Sequence, residues 1–247
     1  MIRRTLLLAL ATAVTLSLPA APSGAADKDE PIRVLFVLNG HDYKPKAPIL
    51  EKALKDTPGF QVTKLEDLKK LADVKRTDYN VLLFYGSPQS NELQDRAVEK
   101  FVEEGGGVVA LHHASAGGSK EWIRLIGGRF AGHIAGTHKL NVLIADDKHP
   151  ITKGVEVFII EDEEYKHSFP DVERHVLLKF KERPQGSDQK ANMDVMWTRD
   201  VGKGKVVYTS LGHGKEAWEN PAWQKLTLQA ICWAAGKPRE VKPGAAK

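Results

Sequence analysis

The histidines are the residues in this sequence whose type and spacing are suited to chemistry. Six of the 9 histidines follow a predicted strand or lie in a glycine-flanked loop: His41, His112, His113, His133, His167 and His213. A neutral imidazole ligates metals and also carries protons near neutral pH. The glycines of Gly127-Gly-Arg-Phe-Ala-Gly132, just before His133, allow a tight backbone and the close approach of a ligand. The pattern therefore predicts a site built from several of these histidines.

Predicted strands and helices alternate through the first half of the chain and position these histidines. The predicted strands are 32–38, 60–65, 81–85 and 108–111, and the predicted helices are 49–54 and 92–104. Most of these strands are nearly continuous apolar runs, which is typical of strands buried on both faces. The order predicts an open, mostly parallel α/β sheet with right-handed crossovers and helices on both faces. Ligands bind such sheets beyond the carboxyl ends of the strands, where His41, His112 and His113 lie.

The second half of the chain predicts a less regular series of strands and one closing helix. The strands are predicted near 140–144, 155–160, 175–180, 193–197 and 206–210, and the helix at 221–235. The chain shows no internal repeat and no shift in composition, so we predict one domain. The single cysteine, Cys232, lies in the closing helix, cannot form an intrachain disulfide and is predicted to be part of the core.

The two ends of the chain differ from the predicted domain. Residues 1–26 have the layout of a signal peptide: Arg3 and Arg4, an apolar run that ends at Leu18, and small residues before a cleavage site near Ala26. The general secretory route fits better than the twin-arginine route, which remains an alternative. We therefore predict a periplasmic or secreted protein. The Pro-, Lys- and Ala-rich residues 237–247 predict a flexible tail.

The charge and hydropathy of the chain exclude two classes of partner. The formal net charge is +4, from 36 basic and 32 acidic side chains that are interspersed, so we expect no nucleic-acid partner. No segment after the signal peptide is apolar enough to anchor the chain, so we expect no membrane contact after cleavage. The sequence does not indicate an oligomeric state.

Ordered motifs in this sequence resemble those of the ThuA-like, or trehalose-utilisation, family. They are Gly105-Gly-Gly-Val-Val-Ala-Leu-His112, Trp122 with Gly127-Gly-Arg-Phe130 and Gly132-His133, His149-Pro-Ile-Thr, Asp162-Glu163-Glu-Tyr165, Trp197-Thr, and Gly202-Lys-Gly-Lys-Val-Val-Tyr208-Thr-Ser-Leu-Gly-His213. The resemblance spans about 32–236 and assigns a ThuA-like domain to 27–236. It implies a flavodoxin-like fold of the class I glutamine amidotransferase type. Within these motifs, His149 itself indicates a turn and cap rather than binding.

The resemblance also excludes one activity. The amidotransferase relatives place a cysteine nucleophile at a sharp turn after a central strand, but the corresponding residues here are Leu111-His112-His113-Ala114. Cys232 lies in the last helix and cannot replace that nucleophile. Glutamine hydrolysis through a thioester is therefore excluded, because no activated sulfur is present. His213 resembles in position the histidine of those enzymes, which implies a retained pocket with altered chemistry.

The family resemblance implies a small saccharide substrate, such as trehalose or a 3-keto derivative, and its cleavage or isomerisation by acid–base chemistry. The residues assigned to catalysis are His112, His133, Glu163 and His213. The residues assigned to substrate binding are His41, His113, Tyr165 and Trp122. Two alternatives remain open at this stage: a sugar-binding protein without catalysis, and a metal-dependent hydrolase of another substrate class.

The sequence leaves the cofactor undecided. Two or three imidazoles with a carboxylate match a divalent metal site that keeps one position open, and the candidate ligands are His112, His133 and Glu163. No two histidines are spaced four apart on a helix beside a glutamate, so no local metal motif supports this assignment. The same histidines would equally serve as hydrogen-bond donors to sugar hydroxyls. The acidic run 161–164 is likewise compatible with a solvated turn.

Overall fold

The computed structural model describes residues 30–88 and 91–242. The predicted signal peptide, 1–26, lies outside these residues, as do residues 243–247 of the predicted tail. The strands are β1 (Ile32–Leu38), β2 (Phe60–Leu65), β3 (Val81–Tyr85), β4 (Gly107–Leu111), β5 (Arg129–Gly132), β6 (His138–Ile144), β7 (Phe158–Asp162), β8 (Lys166–Ser168), β9 (His175–Phe180), β10 (Asp194–Val201) and β11 (Gly204–Thr209). The helices are α1 (Ala47–Asp56), α2 (Glu92–Glu103), α3 (Lys120–Ile126), α4 (Lys215–Glu219) and α5 (Pro221–Ala234), with 3₁₀ helices at Leu68–Asp73 and His112–Ser115.

The main sheet has nine strands in the order β2-β1-β3-β4-β11-β10-β9-β6-β7. The neighbours from β2 to β11 pair in parallel, whereas the neighbours from β11 to β7 pair antiparallel. With β11 in the fifth place, the parallel half has the flavodoxin-like order 2-1-3-4-5. The predicted fold class is therefore confirmed, and the second half of the chain extends the sheet with antiparallel strands.

Two apolar layers cover the faces of the parallel strands. One layer packs α1, α4 and α5 against side chains such as Phe36 and Leu83, and the other packs α2 and α3 against side chains such as Leu82 and Phe84. The continuous apolar runs of β1, β3 and β4 follow from this arrangement, because these strands are buried on both sides. Cys232 lies fully buried in the first layer, as predicted. None of the helices within 30–88 and 91–242 is long and apolar enough to cross a membrane.

The antiparallel half curls back toward the parallel half. Strand β7 is five places from β4 in the sheet order, yet Glu163, which follows β7, lies beside His112, which follows β4. Asn220 lies between α4 and α5, and its side-chain amide donates to the Ile159 carbonyl of β7 at 3.0 Å. This bond connects the last strand of the sheet to the helical layer. The curl therefore brings the acidic run after β7 over the carboxyl ends of the parallel strands.

Several elements of the second half were not predicted or differ in extent. Helix α3 is short: Ser119 caps its start, with a side chain that accepts from the Trp122 amide, and Gly127, with φ +79°, caps its end. The short strands β5 and β8 pair only with each other. Strands this short show little alternation of apolar and polar residues, so the sequence does not indicate them. The strand predicted from 155 begins at Phe158, because the preceding turn includes Gly154 with φ +67°.

The prediction of a flexible tail from Lys237 is wrong for residues 237–242. Val241 is buried, and its amide donates to the Gln229 side chain at 2.9 Å. Glu240 pairs with Lys225 at 2.9 Å. One apolar anchor and one ion pair hold this segment against α5, although its composition is that of a linker.

Candidate functional site

His112 occupies the turn directly after the central strand β4. Its φ is +40°, in the left-handed region that non-glycine residues rarely adopt, at a cost of about 1 kcal/mol or more. The backbone carbonyl of His112 accepts from the Tyr208 hydroxyl at 3.0 Å, and that hydroxyl also lies 2.7 Å from Ser115 Oγ. These buried contacts hold the turn in a conformation that directs the imidazole toward Glu163, beyond the end of β4.

The contacts of His112 fix the tautomer of its imidazole. The Nδ1 atom lies 2.7 Å from the Ser210 carbonyl, which can only accept a hydrogen bond, so Nδ1 carries the proton. In the neutral ring, Nε2 then presents a lone pair. This buried atom has no hydrogen-bond partner among the described residues and lies 3.4 Å from Glu163 Oε2.

Asp162 joins the two loops that carry Glu163 and His213. Its fully buried carboxylate accepts from the backbone amides of Glu163, Gly212 and His213 at 2.9, 2.6 and 2.8 Å. These bonds attach the loop after β11 to the end of β7. His213 Nδ1 consequently lies 3.2 Å from Glu163 Oε2 and, like His112 Nε2, has no hydrogen-bond partner in the described part of the chain.

The small sheet of β5 and β8 brings His133 to the other side of Glu163. His133 Nδ1 lies 2.6 Å from the Ile134 carbonyl, so its Nε2 faces Glu163 Oε1 at 3.8 Å. Tyr165 is buried between the two histidines, with ring centroids 4.1 Å from His112 and 5.8 Å from His133. Phe130 packs on Tyr165 at 4.4 Å and completes an aromatic wall.

The structure therefore brings together all four residues that the sequence assigned to catalysis. We call His112, His133, Glu163 and His213 the carboxyl-edge cluster. Of the candidate metal ligands, His112 and Glu163 share one group with His213, whose ligand atoms all lie within 4.8 Å of one another. His133 is not a member of that group.

Two opposing effects set the protonation of Glu163. Burial opposes its ionisation, but the imidazoles of His112 and His213 outweigh burial and hold the pKa of this carboxyl well below its usual range. Burial, with the nearby His41 and His112, lowers the pKa of His113 to about 4. At neutral pH the site therefore contains an anionic Glu163 beside a neutral His113.

The residues assigned to substrate binding divide into two sets. His41 and His113 line the space next to the carboxyl-edge cluster, with the His41 ring 4.8 Å from His113 and 5.3 Å from His213. Tyr165 forms the wall described above. The structure places Trp122 elsewhere: it is buried against Phe84, with its indole bonded to the Ala114 carbonyl at 2.7 Å. The assignment of Trp122 to sugar binding is therefore wrong, because α3 directs this ring into the core.

Two residues that support the site were missed by sequence reasoning. Asp162 belongs to an acidic run that was equally compatible with a solvated turn, whereas Asp162, Glu163 and Glu164 are all buried. Lys46, at the start of α1, is also buried and donates from Nζ to the Tyr85 hydroxyl at 2.8 Å and to the His213 carbonyl at 2.6 Å. Burial lowers the pKa of Lys46. Neither residue has a local sequence signal, because its partners are far away along the chain.

His167, the sixth of the histidines named first, lies below the site rather than in it. It is almost fully buried, and its Nε2 lies 3.1 Å from the Tyr208 hydroxyl. Burial lowers the pKa of His167 to about 3, so the ring is neutral. Through Tyr208 it supports the strained turn at His112.

These features define the class of the protein: a flavodoxin-like α/β domain with a group of histidines and a carboxylate beyond the carboxyl ends of its parallel strands. The chain belongs to the ThuA family, described as trehalose utilisation, whose model matches residues 33–234. The predicted family is therefore confirmed, and with it an association with carbohydrate utilisation. No curated protein matches the chain.

Solved structures share this fold. A ThuA-like protein from Parabacteroides merdae has a TM-score of 0.73 and 21% identity, over 88% of this chain and 94% of that chain. A ThuA-like protein from Bacteroides uniformis has a TM-score of 0.70 and 22% identity, over 90% and 98%. A β-galactosidase from Rahnella sp. R3 has a TM-score of 0.58 and 13% identity, over 85% of this chain and 32% of that chain. At these identities the likeness concerns the fold alone.

Proposed function

We propose that this protein is an exported enzyme that cleaves or isomerises a small saccharide, most specifically a 3-keto-glycoside, by acid–base chemistry. The observation that carries the proposal is the carboxyl-edge cluster, in which three imidazoles surround one carboxylate beyond the strand ends. Membership of a carbohydrate-utilisation family supports the substrate class.

The chemistry of a 3-keto sugar requires the kinds of group that the cluster contains. The ketone acidifies the neighbouring C–H bond, so a base removes that proton and forms an enediolate. The enediolate then expels the glycosidic oxygen two carbons from the ketone, and an acid protonates the leaving group. An electrophile must stabilise the enediolate oxygen. His133 is suited to proton transfer, because its Nε2 faces the centre and 30% of its side chain is exposed.

The type of side chain in the site distinguishes an enzyme from a sugar-binding protein. A site that only binds a sugar uses aromatic and amide side chains and has little need for titratable groups. Here the aromatic rings of Tyr165 and Phe130 pack on one another and on His133, while the groups that face the centre are imidazoles and a carboxylate. This composition favours catalysis over binding alone.

The test is product formation by the purified protein. We expect 3-keto-trehalose to be converted, as followed by mass spectrometry, and trehalose to serve as the comparison substrate. His133→Ala should reduce the rate at least ~100-fold, the range of a lost proton-transfer group. His175→Ala, far from the site and exposed, is the matched control and should keep the parental rate. Saturable sugar binding without any product would instead identify a binding protein, and turnover of unrelated esters or amides would identify a hydrolase of another class.

Export is the second part of the proposal and rests on the signal-peptide layout of residues 1–26. We expect protein recovered from the periplasm or medium to begin near Ala26 or Asp27 by N-terminal sequencing. Recovery of that protein with Met1 intact would contradict export with cleavage.

A further inference from the structure

We propose that His112 Nε2, His213 Nδ1 and the Glu163 carboxylate bind one divalent metal ion, such as zinc. The inference rests on the proposed function, because it names the electrophile that the reaction requires. It begins from one arrangement in the described residues: two imidazole nitrogens without hydrogen-bond partners face the same carboxylate.

His112 has the contacts of a metal-ligating histidine. Such a histidine donates its other ring N–H to a carbonyl or carboxylate, which fixes the tautomer and directs the lone pair to the metal. In His112 the Ser210 carbonyl accepts from Nδ1 at 2.7 Å, and Nε2 is left buried and unpaired. A buried nitrogen without a partner costs about 1–3 kcal/mol, and a bound metal removes this cost.

The second and third ligands, Glu163 and His213, are held next to each other by shared hydrogen-bond partners. Asp162 bonds to the backbones of both Glu163 and His213, and Lys46 bonds to the His213 carbonyl. Two ligand atoms, each about 2.1 Å from a tetrahedral metal, lie about 3.4 Å apart. The observed distances from Glu163 Oε2 are 3.4 Å to His112 Nε2 and 3.2 Å to His213 Nδ1. All three donor atoms lie within 4.8 Å of one another, so adjustment of the side chains alone would bring them to one metal.

The donor set selects the class of metal. Two imidazole nitrogens with one carboxylate suit zinc and its neighbours, whereas calcium and magnesium take oxygen ligands. Three protein ligands leave at least one position for water or substrate, as in catalytic rather than structural zinc sites. When bound, such an ion supplies a Lewis acid for the enediolate oxygen.

The assignment leaves His133 outside the coordination sphere. Its Nε2 lies 3.8 Å from the second oxygen of Glu163, and it does not belong to the group of three ligands. His133 therefore keeps its lone pair for proton transfer. This division of roles makes His133 the matched control for the ligands, since it is the same residue type at the same centre.

The experiment measures metal binding directly, without reference to activity. The full chain is purified without an affinity tag, stripped with a chelator, and titrated with Zn²⁺ by calorimetry and with Co²⁺ by visible absorbance. We expect one ion per chain. Glu163→Gln and His213→Ala should each weaken the affinity at least 100-fold, whereas His133→Ala and His175→Ala should stay within threefold of the parent. Circular dichroism checks that each variant is folded, and Glu163→Gln, which keeps the shape of the side chain, remains informative if His213→Ala does not fold.

The outcomes separate this inference from the proposed function. Absence of stoichiometric binding, or an equal loss of affinity in His133→Ala, would overturn the metal site. Full turnover of 3-keto-trehalose by the stripped protein would overturn the assignment of the metal as the electrophile and leave the enzyme proposal intact. Binding of one ion that is lost in the ligand variants supports the site, even where no sugar is converted and the enzyme proposal fails.

Discussion

Two groups of histidine and acid lie at opposite edges of the sheet and have opposite properties. The carboxyl-edge cluster contains buried imidazole nitrogens without partners. The second group, which we call the amino-edge cluster, consists of Asp146, His149 and His175. There, His175 Nε2 lies 2.8 Å from Asp146 Oδ2, and His149 Nδ1 accepts from the Ile151 amide at 3.2 Å. Residue type is the same in both groups, so what separates them is whether the nitrogens have partners and access to water.

The amino-edge cluster is explained by local structure alone. Thr152 donates to the carbonyls of Asp146 and His149, and the chain turns between them, as the sequence indicated for His149. The His175 side chain is 57% exposed, so water satisfies what the protein does not. At the carboxyl edge, by contrast, His112 is fully buried and Asp162 uses its own hydrogen bonds to hold the loops in place. A cluster that buries imidazole nitrogens without hydrogen-bond partners is costly to fold. It is therefore a better indicator of function than a cluster whose polar groups are satisfied by local structure and water.

The largest expected difference concerns one carboxylate in each cluster. Glu163→Gln keeps the shape of the side chain but removes its charge, and we expect turnover of the keto-sugar to fall about 1000-fold, equivalent to about 4 kcal/mol of transition-state stabilisation. The matched change Asp146→Asn should leave turnover unchanged. Steady-state kinetics of both variants checks the pair. A similar loss in both would mean that the effect is on folding rather than on the site.

The next effect concerns the buried carboxylate that supports the cluster. Asp162→Ala removes the acceptor of three backbone amides at once, and bonds to a charged group contribute about 1.5–3 kcal/mol each. Water can fill part of the space that the carboxylate leaves and can bond to some of the amides, so the loss should be smaller than the sum of the three bonds. We expect the free energy of unfolding in urea to fall by at least about 3 kcal/mol. A loss below about 1 kcal/mol would show that Asp162 does not hold the two loops together.

The sequence was sufficient to predict the edge of the sheet at which these histidines come together. Apolar runs gave the strands of the parallel half, and in a parallel sheet the residues after each strand must meet at one edge, which is why His41, His112 and His113 were found. His133, Glu163 and His213 were assigned only with the help of the ordered family motifs. Their convergence depends on the curl of the antiparallel half, which no local pattern encodes.

The parts that could not be predicted depend on pairing across long distances. Trp122 has the composition of a sugar-stacking residue, but its direction is set by Ser119 and Gly127 at the two ends of α3. Lys46 is an ordinary surface residue by type, and only the fold brings it to the His213 carbonyl, 167 positions along the chain. The direction of a side chain and its partners far along the chain depend on the tertiary structure. The periodicity of apolar residues and the composition of the sequence do not specify them.

A third effect concerns His167, the buried histidine that supports the carboxyl-edge cluster through Tyr208, compared with the exposed His175 of the amino-edge cluster. Because burial lowers the pKa of His167 to about 3, the unfolded chain binds a proton at this residue between about pH 6.5 and 3 while the native state does not. The contribution of His167 to the free energy of unfolding is therefore fully present above pH 6.5. It falls as the pH decreases, by about 2 kcal/mol between pH 7 and 5. Urea unfolding at both pH values should show this loss in the parent and in His175→Gln but a smaller loss in His167→Gln. An unchanged pH dependence in His167→Gln would contradict the neutral buried ring.

The smallest expected effect belongs to the exposed pair of the amino edge. His175→Ala removes the 2.8 Å contact with Asp146, and an exposed pair of this kind contributes less than about 1 kcal/mol, because solvent and salt screen it. We expect the free energy of unfolding to change by no more than that at low salt and by still less in 1 M NaCl. A loss in the free energy of unfolding above about 2 kcal/mol that is insensitive to salt would contradict this expectation. It would mean that the histidines of the amino-edge cluster also make strong, desolvated interactions. Unpaired buried nitrogens would then no longer distinguish the functional edge from the structural one.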